Sequence, residues 1–125
     1  MGGMETYVLR LLQQLPRDSF RVTCICVAEN DISKSLRAIG CNVHVTPIND
    51  DPDWQAIQFG TSLMRTESID VIHAHLPNAH LLAGILSKLT DTPALATVHG
   101  RYLSLRDLEV HKITQTHLSV VAKTT

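Results

Sequence analysis

Helical and strand-forming patterns alternate along this chain from one end to the other, with short connections between them. Parallel strands cannot be joined by tight hairpin turns and need crossover connections, which helices commonly supply. The alternation therefore predicts an α/β fold: a doubly wound parallel sheet with helices on both faces, in a single domain over residues 1–125. The predicted helices lie before Pro16 and at 31–40, 53–67, 77–90 and 103–114, and the predicted strands lie at 20–28, 42–48, 69–75, 93–99 and 117–122.

Single residues predict further detail in two of the helices. Asp31 stands where the second helix begins and is a favoured residue type for the N-cap. Gly40 stands at the end of the same helix, where glycine is common because it adopts the left-handed conformation easily. In the third helix we expect Trp54, Ile57 and Met64 to form the buried stripe.

Composition limits the class of protein to which this chain can belong. Hydrophobic residues make up 44% of the 125 residues and charged residues 18%, which is typical of a folded globular domain. Eleven basic and twelve acidic residues give a formal charge of −1, and this balance argues against a nucleic-acid partner. No apolar run approaches the roughly 18 to 20 residues that span a bilayer. No secretory signal pattern is visible either, so we expect a cytoplasmic protein.

The cysteines do not form the pattern of a redox or metal motif. Cys24 and Cys26 alternate within an apolar run, and Cys41 is the third cysteine of the chain. A metal or redox pair more typically has a two-residue gap on a turn. We therefore expect reduced thiols that pack as small hydrophobic side chains.

The order of elements differs in one respect from that of doubly wound folds. Such folds normally open on a strand that lies centrally in the sheet, whereas this pattern opens on a helix directly after Gly2 and Gly3. We expect that a longer chain supplies a first strand. Without that strand the sheet would expose unpaired edges, so we also expect self-association of the chain alone.

Candidate functional residues lie where the predicted strands end, because open α/β sheets bind ligands beyond the carboxyl ends of their strands. Gly2 and Gly3 begin the first helix, where backbone N–H groups favour an anion such as phosphate, although two glycines can equally form a tight turn. His73 and His75 share one face at the end of the third strand, and His99 is the last residue of the fourth strand. Imidazoles at these places can hydrogen-bond sugar hydroxyls or transfer protons. Two alternatives stay open: the histidines bond only to backbone, or the three of them bind zinc.

Three stretches in order resemble the family-4 glycosyltransferases, which have the GT-B fold. GGMETYVLRLLQQL is similar to the Gly-Gly-x-Glu loop and first helix of that family. The run IDVIHAHLPNAHLLAGILSKLTDTPALATVHG resembles its paired signature, Asp-Val-(Val/Ile)-His-x-His followed by Thr-x-His-(Gly/Asp). The ending HLSVVAKTT resembles the family's next strand, except that the usual closing serine is replaced. The resemblance covers essentially the whole chain.

The resemblance implies the Rossmann-like, acceptor-side N-terminal domain of an enzyme that transfers a sugar with retention from a nucleotide-sugar donor. No cofactor and no metal is implied. Gly2 and Gly3 correspond to the loop that approaches the donor diphosphate, and His99 corresponds to the catalytic histidine that contacts the transferred sugar. His75 matches the histidine on the acceptor side, with His73 beside it. The implied partners are the nucleotide sugar, the acceptor and a C-terminal donor domain, and contact of the full enzyme with the inner face of the membrane stays open.

The 125 residues do not contain the C-terminal domain of this family or its Glu-x₇-Glu motif. We therefore expect the chain to be a fragment without transferase activity of its own. A nonenzymatic or degenerate α/β binding module is the second interpretation. A metal-dependent hydrolase that uses His73, His75 and His99 is the third.

Overall fold

The computed structural model describes residues 3–48, 53–75, 77–98 and 117–120. Every strand pairing in these residues is parallel, as the alternation of patterns predicts. The predicted helix at 103–114 and the predicted strand ahead of Gly2 lie outside the described residues. The helices are α1 (Gly3–Gln14), α2 (Asp31–Ala38), α3 (Trp54–Thr66) and α4 (Pro77–Thr90), and the strands are β1 (Thr23–Cys26), β2 (Asn42–Val45), β3 (Ile72–Ala74), β4 (Ala94–Val98) and β5 (His117–Val120).

The chain forms two compact units, Met1–Pro47 and Ile48–Thr125, and each is described by itself. In the first unit β1 pairs with β2, so that Thr23 lies opposite Asn42 and Cys26 opposite Val45. All four residues of β1 are partly buried. The strand is shorter than predicted because Phe20 belongs to a turn, in which its N–H donates to the Pro16 carbonyl at 2.9 Å.

The N-cap of helix α2 lies one residue earlier than predicted, so the prediction of Asp31 as the N-cap was wrong. The N-cap is Asn30, whose extended backbone leaves its side-chain oxygen free to accept from the N–H groups of Ile32 and Ser33 at 3.1 and 3.2 Å. The hydroxyl of Ser33 accepts in turn from the Asn30 N–H at 2.9 Å, which completes a capping box. Gly40 follows the helix with a φ of +97°, the left-handed conformation expected there.

The three cysteines are free thiols and partly buried, as predicted. Desolvation by burial raises the pKa of the Cys24, Cys26 and Cys41 thiols above the ordinary value. The pKa of the Cys24 thiol is raised further by its neighbour Cys41, to which it is hydrogen-bonded. All three side chains are therefore protonated at neutral pH.

In the second unit the strands lie in the order β3-β4-β5, with His73 opposite Leu95 and Ala74 opposite Ala96. Helix α4 packs against β3, β4 and α3. The strands present small buried side chains to their neighbours, and Ala96 is completely buried. The core beside them is a cluster of Ala56, Leu82 and Leu86, against which Ile48, Ile57 and Ile72 pack.

The prediction that Trp54 belongs to the buried stripe of α3 was wrong, since its side chain is 69% exposed. The buried residues of α3 are Ala56, Gly60 and Met64, which are spaced four residues apart. Gly60 is the reason for this face: a β-carbon built there would lie 2.6 Å from Cδ1 of Leu86 on α4. The two helices thus approach where the side chain is smallest, and not where the largest apolar side chain stands. None of the described helices is both long and apolar enough to cross a membrane.

Candidate functional site

The candidate site lies in the second unit, where β3 and β4 reach their carboxyl ends. His73 is in β3 and His75 follows it directly, while Thr97 is the fourth residue of β4. The parallel register places His73 opposite Leu95, and Thr97 stands two residues further along on the same face of the strand. The sheet therefore carries polar side chains from two neighbouring strands to one edge, as the strand-end argument predicts.

His73 and His75 contact each other at this edge. Their ring centroids are 4.0 Å apart and the ring planes are tilted by 40°. Both side chains are partly buried, whereas Ala74 between them is buried on the opposite face. Two adjoining imidazoles provide N–H donors and nitrogen acceptors within one small area, which suits the hydroxyl groups of a sugar or the oxygens of a phosphate.

Thr97 ties this histidine pair to the next strand. Its hydroxyl lies 2.6 Å from Nε2 of His73, and no part of Thr97 is exposed to solvent. A buried hydroxyl needs a hydrogen-bond partner, and here the partner is an imidazole nitrogen. The contact holds the His73 ring in place over the edge of the sheet.

His80 is a site residue that the sequence reasoning missed. It lies in the first turns of α4, is 3% exposed, and its Nε2 lies 3.2 Å from the carbonyl oxygen of Thr97. A signal was present in the sequence, because His80 is spaced three and four residues before Ala83 and Gly84, within the most apolar stretch of the helix. A polar side chain on the buried face of a helix is hydrogen-bonded in most folded proteins, and that requirement could have marked it.

Of the remaining predicted site residues, the structure describes Gly3. Gly3 is the first residue of α1, in the first unit, and is exposed with no atom within 4 Å of a β-carbon built on it. Its φ also lies outside the left-handed range. The fold of the first unit therefore does not itself require glycine at this position. Gly2 and His99 lie outside the described residues.

The zinc alternative depends on three ligands that converge on one point. Among the residues that the structure describes, no group of three histidine, cysteine or acidic side chains has that arrangement. His99, the third ligand of that alternative, is not among them.

Comparison with known proteins identifies the kind of domain to which this site belongs. Residues 1–123 match the family model described as Glycosyltransferase Family 4. The crystal structure of MurG from Acinetobacter baumannii is similar to 90% of this chain, with a TM-score of 0.70 and 12% sequence identity. The chain spans 36% of the length of that MurG chain. A search of curated proteins found no significant match. At this identity the likeness concerns the fold, and together with the parallel strands it confirms the predicted Rossmann-like α/β class.

Proposed function

The chain belongs to glycosyltransferase family 4, and on that premise we propose that it forms the acceptor-side half of a sugar-transferring active site. In this proposal a cytoplasmic enzyme moves a sugar, with retention of configuration, from a nucleotide-sugar donor to an acceptor. A second domain completes the enzyme and holds most of the donor. The 125-residue chain alone has no transferase activity.

The observation that carries the proposal is the contact between His73 and His75 at the carboxyl edge of two parallel strands. Both histidines belong to the stretch in which the chain resembles the family signature. A pair of imidazoles at 4.0 Å can bind two neighbouring hydroxyl groups of one sugar, one group to each ring. We assign His75 and His73 to the acceptor and, by the motif match, His99 to the transferred sugar.

Gly2 and Gly3 are proposed to receive the donor diphosphate at the N-terminus of α1. Free backbone N–H groups and the helix dipole stabilise negative charge there, including the charge that develops as the nucleoside diphosphate leaves. The open space above Gly3 supports this role, because packing against the described residues does not account for the glycine. No metal or cofactor takes part in the proposed reaction.

The donor role of Gly3 is tested by titrating the ¹⁵N-labelled chain with UDP-glucose and, separately, with GDP-mannose. We expect changes in the amide chemical shifts of the first turn of α1. In Gly3→Val the dissociation constant should be at least tenfold higher, because the branched side chain blocks approach of the nucleotide to the backbone. Met4→Val is the matched control, since it introduces the same branched residue one position later in the same turn. Equal affinity of wild type and Gly3→Val for both nucleotides would refute the donor role.

The same preparation distinguishes the alternatives. We expect no release of nucleoside diphosphate above the background of spontaneous hydrolysis, and sustained turnover by the chain alone would contradict the proposed division of the active site. Stoichiometric zinc in the purified protein would instead favour a metal-dependent hydrolase. Absence of any sugar, nucleotide or metal binding would favour a nonenzymatic α/β module.

A further inference from the structure

Thr97 is bonded to two histidines at once, through two different atoms. Its hydroxyl oxygen meets Nε2 of His73 at 2.6 Å, and its carbonyl oxygen meets Nε2 of His80 at 3.2 Å. Thr97 is completely buried and His80 is 3% exposed, so water does not replace either bond easily. One buried residue therefore constrains two imidazole rings.

The bond to His80 has only one possible direction. A backbone carbonyl oxygen accepts hydrogen bonds and cannot donate them. Nε2 of His80 must therefore carry a proton, which in the neutral imidazole places the acceptor nitrogen at Nδ1.

The bond to His73 has two possible directions, and burial selects between them. Among the described residues, the Thr97 hydroxyl has a single bonding partner, Nε2 of His73. If His73 donated this bond, the hydroxyl proton would be buried without an acceptor, which costs free energy. If the hydroxyl donates, both atoms are satisfied, and the neutral His73 carries its proton on Nδ1.

We infer that Thr97 is a positioning residue that fixes opposite tautomers on two histidines, with the proton of His73 on Nδ1 and that of His80 on Nε2. The helix residue His80 holds the end of β4 against α4, and the hydroxyl of Thr97 then sets which nitrogen of His73 is a donor. Both Thr97 and His80 act on His73 or on β4, and neither contacts the substrate directly.

This assignment has a consequence for the chemistry of the site, which rests on the proposed function. The lone pair of Nε2 in His73 is used by Thr97, and Nδ1 holds the proton. Neutral His73 therefore has no lone pair with which to remove a proton from an acceptor hydroxyl, and it does not act as a general base.

Nitrogen-15 NMR of the imidazole rings in the full chain tests the assignment directly. Long-range ¹H–¹⁵N spectra, recorded at a pH where the histidines are neutral, show for each ring which nitrogen carries the proton. We expect protonated Nδ1 in His73 and protonated Nε2 in His80 within the same wild-type sample. A wild-type spectrum with the proton of His73 on Nε2 would overturn the proposal, whatever the variants do.

Two substitutions at Thr97 then separate a positioning role from a structural one. Thr97→Val keeps the shape and removes the hydroxyl, and we expect the fraction of His73 with a protonated Nε2 to rise several-fold. Thr97→Ser restores the hydroxyl and should restore the wild-type tautomer. His80 should keep its tautomer in both variants, because the carbonyl of residue 97 remains. An unchanged His73 tautomer in a folded Thr97→Val would refute the assignment.

The measurement uses no ligand, so its failure is distinct from failure of the proposed function. Correct tautomers without sugar or nucleotide binding would leave the Thr97 assignment intact and contradict the glycosyltransferase site. Binding of a sugar or nucleotide, together with the proton of His73 on Nε2, would support the glycosyltransferase site and contradict the Thr97 assignment.

Discussion

Helix α2 of the first unit and helices α3 and α4 of the second are held in place by different kinds of contact. Around the N-terminus of α2 the contacts are polar and local: the Asn30 capping box, and an ion pair between Glu29, just outside the helix, and Arg37 within it. Helices α3 and α4 instead meet through an apolar contact, in which Gly60 faces Leu86. The residues of the first kind are at most eight positions apart in sequence, and those of the second kind are 26 apart.

The difference shows where the rigidity of the candidate site comes from. His80 belongs to α4, which approaches α3 closely at Gly60 and packs against β3 and β4 on its other side. Tight packing transmits small displacements, because a close-packed interior has little free volume. The position of the Thr97 network therefore depends on the apolar contact between Gly60 and Leu86.

The largest effect is expected when the apolar contact is cut. Leu86→Ala removes a side chain that is 4% exposed from the buried cluster, and we expect it to lower the free energy of unfolding by about 2–5 kcal/mol. Urea denaturation followed by circular dichroism measures the loss, and amide hydrogen exchange assigns it to α3 and α4. Leu36→Ala on α2 is the matched control: Leu36 is 3% exposed but lies outside that cluster, so its loss should leave the hydrogen exchange of α3 and α4 unchanged.

The contact between Gly60 and Leu86 predicts that the effect of Gly60→Ala on stability changes sign when Leu86 is removed. Gly60→Ala in the wild-type chain should destabilise, because its new methyl group collides with Leu86. In the Leu86→Ala background the collision is gone, and the same substitution should stabilise α3 by up to about 1 kcal/mol through helix propensity. Equal effects of Gly60→Ala in both backgrounds would show that the two residues do not interact.

An intermediate effect is expected at the polar end of α2. Asn30→Ala removes the acceptor of two backbone N–H groups and should cost about 1 kcal/mol. Asp31→Ala, at the position that sequence reasoning predicted as the cap, should cost only a few tenths of a kcal/mol through the helix dipole. Urea denaturation of both variants makes the comparison, and a larger loss for Asp31→Ala would restore the original prediction.

The smallest effect is expected from the ion pair at the same helix. Two hydrogen bonds lower the pKa of Glu29 below its usual range: the larger effect comes from Arg37 and the smaller from Ser33. A lowered folded-state pKa stabilises the chain above the unfolded value of about 4.3 and loses that contribution as the pH falls through the folded value. The two side chains are 44% and 47% exposed, so solvent and salt screen the pair and the effect on stability is small.

Carbon-13 NMR of the Glu29 carboxyl group measures this effect directly. Removing the guanidinium in Arg37→Gln should raise the pKa of Glu29 towards its usual value, and high salt should act in the same direction in the wild type. An identical titration of Glu29 in wild type and Arg37→Gln would show that the pair does not form in solution.

These comparisons also explain which parts of the fold could be predicted from sequence. The order of helices and strands followed from apolar periodicity, and Gly40 was recognised because its backbone conformation is a local property. The cap was wrong by one residue because Asn30 and Asp31 are both good caps, and only the backbone angles choose between them. In α3 the prediction of Met64 as a buried residue was correct and Ile57 packs against the core, but Trp54 was wrong for a nonlocal reason. The burial of Gly60 depends on Leu86, which lies on another helix.

The candidate site divides in the same way. His73 and His75 could be predicted because a spacing of two in a strand places side chains on one face, and the structure brings their rings into contact. His80 could not be placed beside Thr97 from periodicity alone, because their contact joins a helix to a strand 17 residues further along. The predicted roles of Gly2, Gly3 and His99 remain predictions.

The partly buried thiols of the first unit have a practical consequence for labelling. Electrophiles such as maleimides react with thiolates, and raised pKa values keep Cys24, Cys26 and Cys41 as thiols near neutral pH. A cysteine introduced at an exposed position, such as Ser62 on the outer side of α3, should therefore be modified well before the native ones. The chain can carry a site-specific fluorophore or spin label without first being made cysteine-free.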